Sequence, residues 1–345
     1  SGGKERSRFV ERFLWERQKA QGTLDERRLV HPIQYSVDLS NRAPEPVRKT
    51  ADMVDWLRLR EYSATALDAY LKCPLKFYYR YVLKLGQREE TTGEIGAAEI
   101  GSFVHKVLFQ FFSTRTGRPL AAVDADPAAM ALLVDELFAD SFGPAETGAN
   151  RLLRDQVRRH LRDFAGSYLR ALVAEHRVIL QALEHDAAAV REGFSLRGRM
   201  DVVQERDGAP RLIDYKTTAH RAGYALKLKR LVMEDRATWS AAIGTLQLPF
   251  YILLYAAETG RAPSEIQAMF LLLGRTEMDR RIELPLFADA EEADAAWPLL
   301  ESVIFGLLRE IVSPEVPFAP AQDLKSVCPW CDFKNICGTA WLARA

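Results

Sequence analysis

The stretch Gly198-Arg199-Met200-Asp201, followed by Asp207-Gly208 and then Ile213-Asp214-Tyr215-Lys216-Thr217, decides how this chain reads. Asp-Gly is a strong two-residue hairpin signal, because both central positions of the favoured turn need positive φ. With Asp207 and Gly208 at the turn centre, Asp201 lies six residues before the turn and Asp214 six residues after it. The hairpin therefore predicts the two acids directly opposite each other on one face, with Cβ atoms about 4.5–5.5 Å apart. Carboxylates that close repel unless a divalent cation sits between them. Lys216 follows Asp214 by two residues and projects from the same face. Two carboxylates and a lysine on one patch suit metal-dependent phosphodiester hydrolysis. The acids hold Mg²⁺ or Mn²⁺, the metal activates a water, and the lysine stabilises charge at the phosphate. The competing reading is an ordinary hairpin with a solvated Asp–Lys pair. Against it, Leu212, Ile213 and Tyr215 make the strand strongly apolar, which predicts Asp214 and Lys216 near a sheet centre. Ionisable groups buried there need a reason. Pro210 weakens the register.

The rest of the chain bounds the possibilities. At 345 residues it has the length of about two domains, and 48% hydrophobic with 27% charged residues is an ordinary soluble composition. The longest apolar run, Leu248 to Ala257, is too short to cross a bilayer. No Gly-x4-Gly-Lys-Ser/Thr phosphate loop occurs, so ATP hydrolysis is not expected. No secretory signal opens the chain. Ser1-Gly2-Gly3 reads as a tag remnant, which leads us to expect that more protein precedes it.

Net charge is zero, but cations cluster. Lys72, Lys76, Arg80, Lys84 and Arg88 form one acid-free run, and Lys216, Arg221, Lys227, Lys229 and Arg230 form another. Lys76, Arg80, Lys227 and Lys229 are the candidate nucleic-acid contacts. Solvated helix faces are the simpler account of both runs. Phe77, Tyr78, Tyr79 and Tyr81 lie within the first run, and aromatic–cation interleaving suits single strands. Packing into the core is the favoured reading for most of them.

Periodicity predicts an N-terminal helix over 6–21, a connecting arm to about Lys49, and helices at 64–72, 101–114, 126–140 and 151–176. Strands follow at 190–203 and 211–217. A long helix at 238–259, strands at 266–273 and 280–286, and a helix at 288–312 complete an α/β or α+β pattern with a small sheet.

These residues resemble a known family. Gly-Arg-Met-Asp201 with Ile-Asp214-Tyr-Lys216-Thr resembles the PD-(D/E)XK nuclease motif in its RecB/AddB form. Gly101-Ser-Phe-Val-His105 resembles the family's Gly-x3-His helix, and Gln247-Leu-Pro-Phe-Tyr251 its Gln-x3-Tyr motif. Tyr62-Ser63-Ala-Thr, with Leu71-Lys-Cys73-Pro-Leu-Lys-Phe, resembles the segment that opens the nuclease domain. The resemblance covers residues 61–345, with 1–60 as an N-terminal helical arm similar to the junction from a helicase-like part. It implies an α/β, restriction-endonuclease-like core with a small central mixed sheet flanked by helices. It implies metal held by His105, Asp201, Asp214 and the Tyr215 carbonyl, with Lys216, Gln247 and Tyr251 as further catalytic candidates. Glu192 is a weak candidate, since family members often carry a glutamate on the first strand, yet alternation sets it opposite Asp201.

Cys328-Pro-Trp-Cys331 and Cys337 form a C-x2-C-x5-C pattern, with Cys73 far upstream. Thiolates so spaced bind zinc or an iron–sulfur cluster. The resemblance implies a structural [4Fe–4S] staple, as in AddB-type nucleases, with zinc as the alternative and a reducing cytoplasm as the setting. It further implies a deoxyribonuclease, exonuclease rather than endonuclease, acting on single-stranded DNA ends with an AddA-like partner and no membrane. A non-cleaving DNA-binding scaffold and a zinc-stapled interaction domain are the alternatives.

Overall fold

The computed structural model describes residues 7–25, 29, 43–86, 95–143, 148–340 and 342. Ser1-Gly2-Gly3, Arg88 and most of the expected arm between 26 and 42 lie outside them. Contacts group Ser1–Asn41 as one unit and Arg42–Ala345 as another. The first unit holds α1 (Arg8–Gln21), ended by Gly22 in the left-handed conformation.

In the second unit Thr50 caps α2 (Ala51–Leu59), a two-residue strand β1 (Glu61–Tyr62) follows, and Ser63 caps α3 (Ala64–Lys72). The Ser63 hydroxyl accepts the Ala66 N–H, as its sequence position predicts. Pro74 opens α4 (Pro74–Phe77), which continues as a π turn over Tyr78–Val82. Next come α5 (Ala97–Ser113), α6 (Pro127–Phe142), α7 (Gly148–Asp163) and, through a second π turn, α8 (Arg170–Glu175). The strands β2 (Val178–Arg191), β3 (Phe194–Arg206) and β4 (Ala209–Lys216) precede α9 (Arg236–Ala242) and α10 (Gln247–Thr259). The chain continues through β5 (Gln267–Leu272), β6 (Glu283–Pro285), α11 (Ala290–Val312) and α12 (Leu324–Val327).

The Asp207-Gly208 turn forms as predicted, with φ of 54° and 86°. Arg206 pairs with Ala209 and Val202 with Ile213, the register that sets Asp201 at the level of Asp214. The sheet is mixed and six-stranded. β2 runs antiparallel along one side of β3, while β4 takes Val202–Arg206 and β1 takes Ser195–Leu196 on the other. β4 and β5 are parallel, so a crossover must join them, and α9 and α10 lie on it. β6 closes the far edge antiparallel to β5.

Helices cover both faces of the sheet. One core gathers Tyr70, Met200, Leu212, Phe250, Phe270 and Ile304, and the other Phe103, Val107, Phe164, Val202, Ile213 and Leu271. Each fully buried side chain of this size contributes about 1.5–3 kcal/mol. Met200 and Val202 lie two residues apart yet enter different cores, so β3 departs from strict alternation at Asp201.

Three expectations need correction. The strand expected over 190–203 is two strands, because Glu192 and Gly193 take φ of 49° and 80° and form a hairpin turn. Glu192 is therefore at a turn, exposed, with the Arg309 guanidinium 2.5 Å from its Oε2. β2 itself is unheralded, since Ala182 and Ala187–Ala189 blur its alternation. The helix expected over 238–259 breaks at Ile243–Leu246, where a Cβ on Gly244 would lie 2.5 Å from the Gly223 carbonyl oxygen. The core reading of the aromatic run holds. Phe77 is buried between Tyr70 and Phe318, Tyr78 stacks on Phe318, and Tyr79 meets Phe333.

Candidate active site

Tyr215 and Lys216 end β4, and His105 projects from the middle of α5 on the opposite layer. The Asp201 carboxylate bridges these elements. Its Oδ2 accepts the Tyr215 N–H at 2.7 Å, and its Oδ1 is 3.2 Å from His105 Nδ1. His105 Nε2 in turn lies 3.2 Å from the Tyr215 carbonyl oxygen. Burial lowers the imidazolium pKa, but the Asp201 hydrogen bond and charge, the Asp214 charge and the Tyr215 carbonyl outweigh it, and the net direction is upward.

Asp214 is 2% exposed and engages the other layer. Gln247, at the start of α10, donates to Asp214 Oδ1 at 2.6 Å and to the Tyr251 hydroxyl at 2.8 Å. Its Oε1 accepts from Lys216 Nζ at 2.7 Å. Lys216 Nζ also lies 2.5 Å from Asp214 Oδ2, a buried ion pair. Burial, and then the neighbouring Asp201 charge, push the Asp214 carboxyl up to about 7 against the pull of Lys216 and His105. α10 comes this close because residue 198 is glycine. A Cβ there would meet Leu254 Cδ1 at 3.0 Å and Tyr251 Cε1 at 3.2 Å.

Sequence reasoning missed Glu184. A ligand atom each from His105, Glu184 and Asp201 lies within 4.8 Å of the others. Glu184 takes φ of 47°, rare for a residue with a Cβ, and such strain concentrates at functional positions. The signal was available. With Glu192-Gly193 as a turn, Glu184 lies eight residues before it and Asp201 eight after.

The donor set of the trio, two carboxylates and one imidazole, with the Tyr215 carbonyl beside His105, fits a hard divalent cation. Of the candidate nucleic-acid contacts, Arg80, Lys227 and Lys229 are exposed and Lys76 half-buried. Among the described residues lining the cleft beside His105, the cations are Lys106 and Arg199 instead.

Cys73, Cys328 and Cys331 are buried and Cys337 partly so, and none is in a disulfide. Each of the other three thiols acts electrostatically on Cys337, so residues far apart in the chain converge. Burial pushes the Cys337 thiol up to about 11. Burial raises the Cys73 thiol, against the smaller pull of the backbone N–H groups of Lys76, Ala321 and Leu75.

A sequence profile of the PD-(D/E)XK nuclease superfamily matches residues 61–338, and the chain belongs to that superfamily. Its mixed sheet flanked by helices agrees with the restriction-endonuclease-like fold. The superfamily is one of nucleases that use divalent metals. The chain is also 31% identical over 71 residues to a subunit of the ATP-dependent helicase/deoxyribonuclease of Carboxydothermus hydrogenoformans. That match covers 21% of this chain and 6% of the relative.

Proposed function

We propose that this chain is a metal-dependent deoxyribonuclease domain that trims DNA ends as part of an AddAB-type helicase–nuclease, beside an AddA-like partner. The observation that carries the reading is the His105–Glu184–Asp201 trio, with Asp214 of the Asp214–Lys216–Gln247 group near enough for its charge to act on Asp201 and His105. His105, Asp201, Asp214, the Tyr215 carbonyl and Glu184 are the residues that would hold Mg²⁺ or Mn²⁺. A cation bound there supplies Lewis acidity toward a phosphate oxygen and a water acidified for attack.

The remaining work belongs to the side chains. Lys216 offers its ammonium to the phosphate or the attacking water. Gln247 holds both that ammonium and the Asp214 carboxylate by hydrogen bonds. Tyr251 takes the second Gln247 N–H and so fixes the amide's orientation. No base-reading motif is present, which favours cleavage indifferent to sequence.

The four cysteines, brought close enough for the other three thiols to act on Cys337, would hold a [4Fe–4S] cluster, with zinc as the alternative. Its role is structural, and it fits a reducing cytoplasm.

End-labelled single- and double-stranded DNA, incubated with Mg²⁺ or Mn²⁺, tests the proposal. Wild type shortens the label, while Asp214→Ala and Lys216→Ala do not. No cleavage with either metal, or wild-type rates from Lys216→Ala, overturns it.

A further inference from the structure

We propose that Asp68, on α3, is a positioning residue for the reaction: it fixes the start of α10 and thereby aims Gln247 at Lys216 and Asp214. The inference rests on the nuclease reading and adds a residue to the machinery of that same site. α3 is an apolar helix, with Ala66, Leu67, Ala69, Tyr70 and Leu71 all buried. A carboxylate set among them carries a desolvation cost and needs partners. Asp68 finds them on one short segment far along the chain. Its Oδ1 accepts the Leu246 N–H at 2.7 Å, and its Oδ2 accepts the Thr245 hydroxyl at 2.5 Å. Burial raises the Asp68 carboxyl, against the pull of Thr245, Leu246, Lys72 and Lys216, so the charges of Asp68 and Lys216 act on each other.

That segment is the entry to α10. α9 ends at Ala242, and the chain then passes Gly244, where a Cβ would meet the Gly223 carbonyl oxygen. The break means that α10 does not inherit its direction from α9. The first N–H groups of a helix have no partner within it, and the residue at the cap of α10 is Leu246, whose side chain accepts nothing. Asp68 and Thr245 supply the missing acceptors. The Thr245 hydroxyl that donates to Asp68 accepts the Gln247 N–H at 3.1 Å. The relay runs from the Asp68 carboxylate through one hydroxyl to the backbone of Gln247, and from the Gln247 amide to Asp214, Lys216 and Tyr251. A carboxylate that only tied two helices together could meet α10 anywhere along its length. This one holds the two residues immediately before Gln247. Its negative charge also lies at the end of α10 where the backbone dipole favours it.

The test is steady-state cleavage of end-labelled DNA by Asp68→Ala, Gln247→Ala and the double variant. Asp68→Ala lowers kcat about tenfold with KM little changed, and adds no further loss to Gln247→Ala. Wild-type kcat in Asp68→Ala, or losses that multiply in the double variant, overturns the proposal and leaves the carboxylate a structural tie. Where Asp68→Ala fails to fold, Thr245→Val cuts the same relay, and the same two outcomes decide. A second readout separates the proposal from the parent reading. In ¹⁵N-labelled protein the Gln247 side-chain amide protons exchange with solvent about tenfold faster in Asp68→Ala. A wild type that never cuts refutes the nuclease, and this exchange then decides the positioning: faster exchange supports it and unchanged exchange overturns it. A wild type that cuts, matched by Asp68→Ala, refutes the positioning and leaves the nuclease standing.

Discussion

Glu184 and Asp201 stand opposite each other in the β2–β3 hairpin, between the paired levels Leu183–Val202 and His185–Met200. On its other side Asp201 is level with Asp214 of β4. Three adjacent strands thus bring three acids to one level, with His105 against the middle one. If all serve one cation, Glu184→Gln lowers metal-dependent cleavage by at least about tenfold while thermal unfolding stays cooperative. Glu192→Gln, at the exposed turn, leaves the rate at wild type. Equal rates in the two variants would remove Glu184 from the site.

Gln247 touches Asp214, Lys216 and Tyr251 at once. Replacing it by alanine removes one hydrogen bond from the lysine and one from the buried carboxylate, leaving their ion pair without its support. Gln247→Ala is expected to lower kcat by about 100-fold with KM little changed, a pattern single-turnover kinetics resolves. A raised KM with intact kcat would make Gln247 a substrate-binding residue instead.

At Gly198, β3 lies close under α10. Gly198→Ala drives a methyl against Leu254 and Tyr251, and overpacking of this kind costs about 1–3 kcal/mol. Urea unfolding should register the loss, and cleavage should fall with it because Tyr251 is the ring displaced. A variant as stable and active as wild type would show that α10 yields freely.

Lys49 is buried, with its ammonium donating to the Glu310 and Ser313 carbonyls at 2.7 and 3.0 Å. Burial lowers its pKa from 10.5 to about 8, against the raising effect of Glu310. Below that value the buried charge carries its full cost. Between about pH 8 and 10.5 the unfolded chain binds more protons than the folded one, so this group's contribution to stability rises with pH. The stability of wild type relative to Lys49→Met should therefore grow from about pH 7 to pH 10 in denaturant titrations. A flat difference would contradict the buried charge.

A cluster held by Cys73, Cys328, Cys331 and Cys337 would close most of the chain into one loop, a constraint of up to about 5 kcal/mol on the unfolded state. Cys331→Ser is expected to lose iron and acid-labile sulfide and to lower Tm by about 10 °C. A colourless wild type with stoichiometric zinc would replace the cluster by the single ion.

The hairpin of β3 and β4 was legible because its turn dipeptide has one favoured geometry, and the register followed by counting. The helix caps at Ser63 and Pro74 were legible for the same local reason. What escaped was non-local or masked. β2 carries alanines where alternation should show, so both the strand and Glu184 went unread. The break in the helix before Gln247 depends on a close approach of Gly244 to a loop some twenty residues earlier. The cations of the cleft come from separate elements, α5 and β3, which no single run of sequence reveals.

The account turns on one cation shared by Asp201 and Asp214. Anomalous diffraction from crystals soaked in Mn²⁺ measures this directly. The expected result is a peak within about 2–2.5 Å of Asp201, Asp214 and His105, lost in Asp214→Ala. A fully soaked crystal with no peak there, or a peak that Asp214→Ala leaves unchanged, would contradict it.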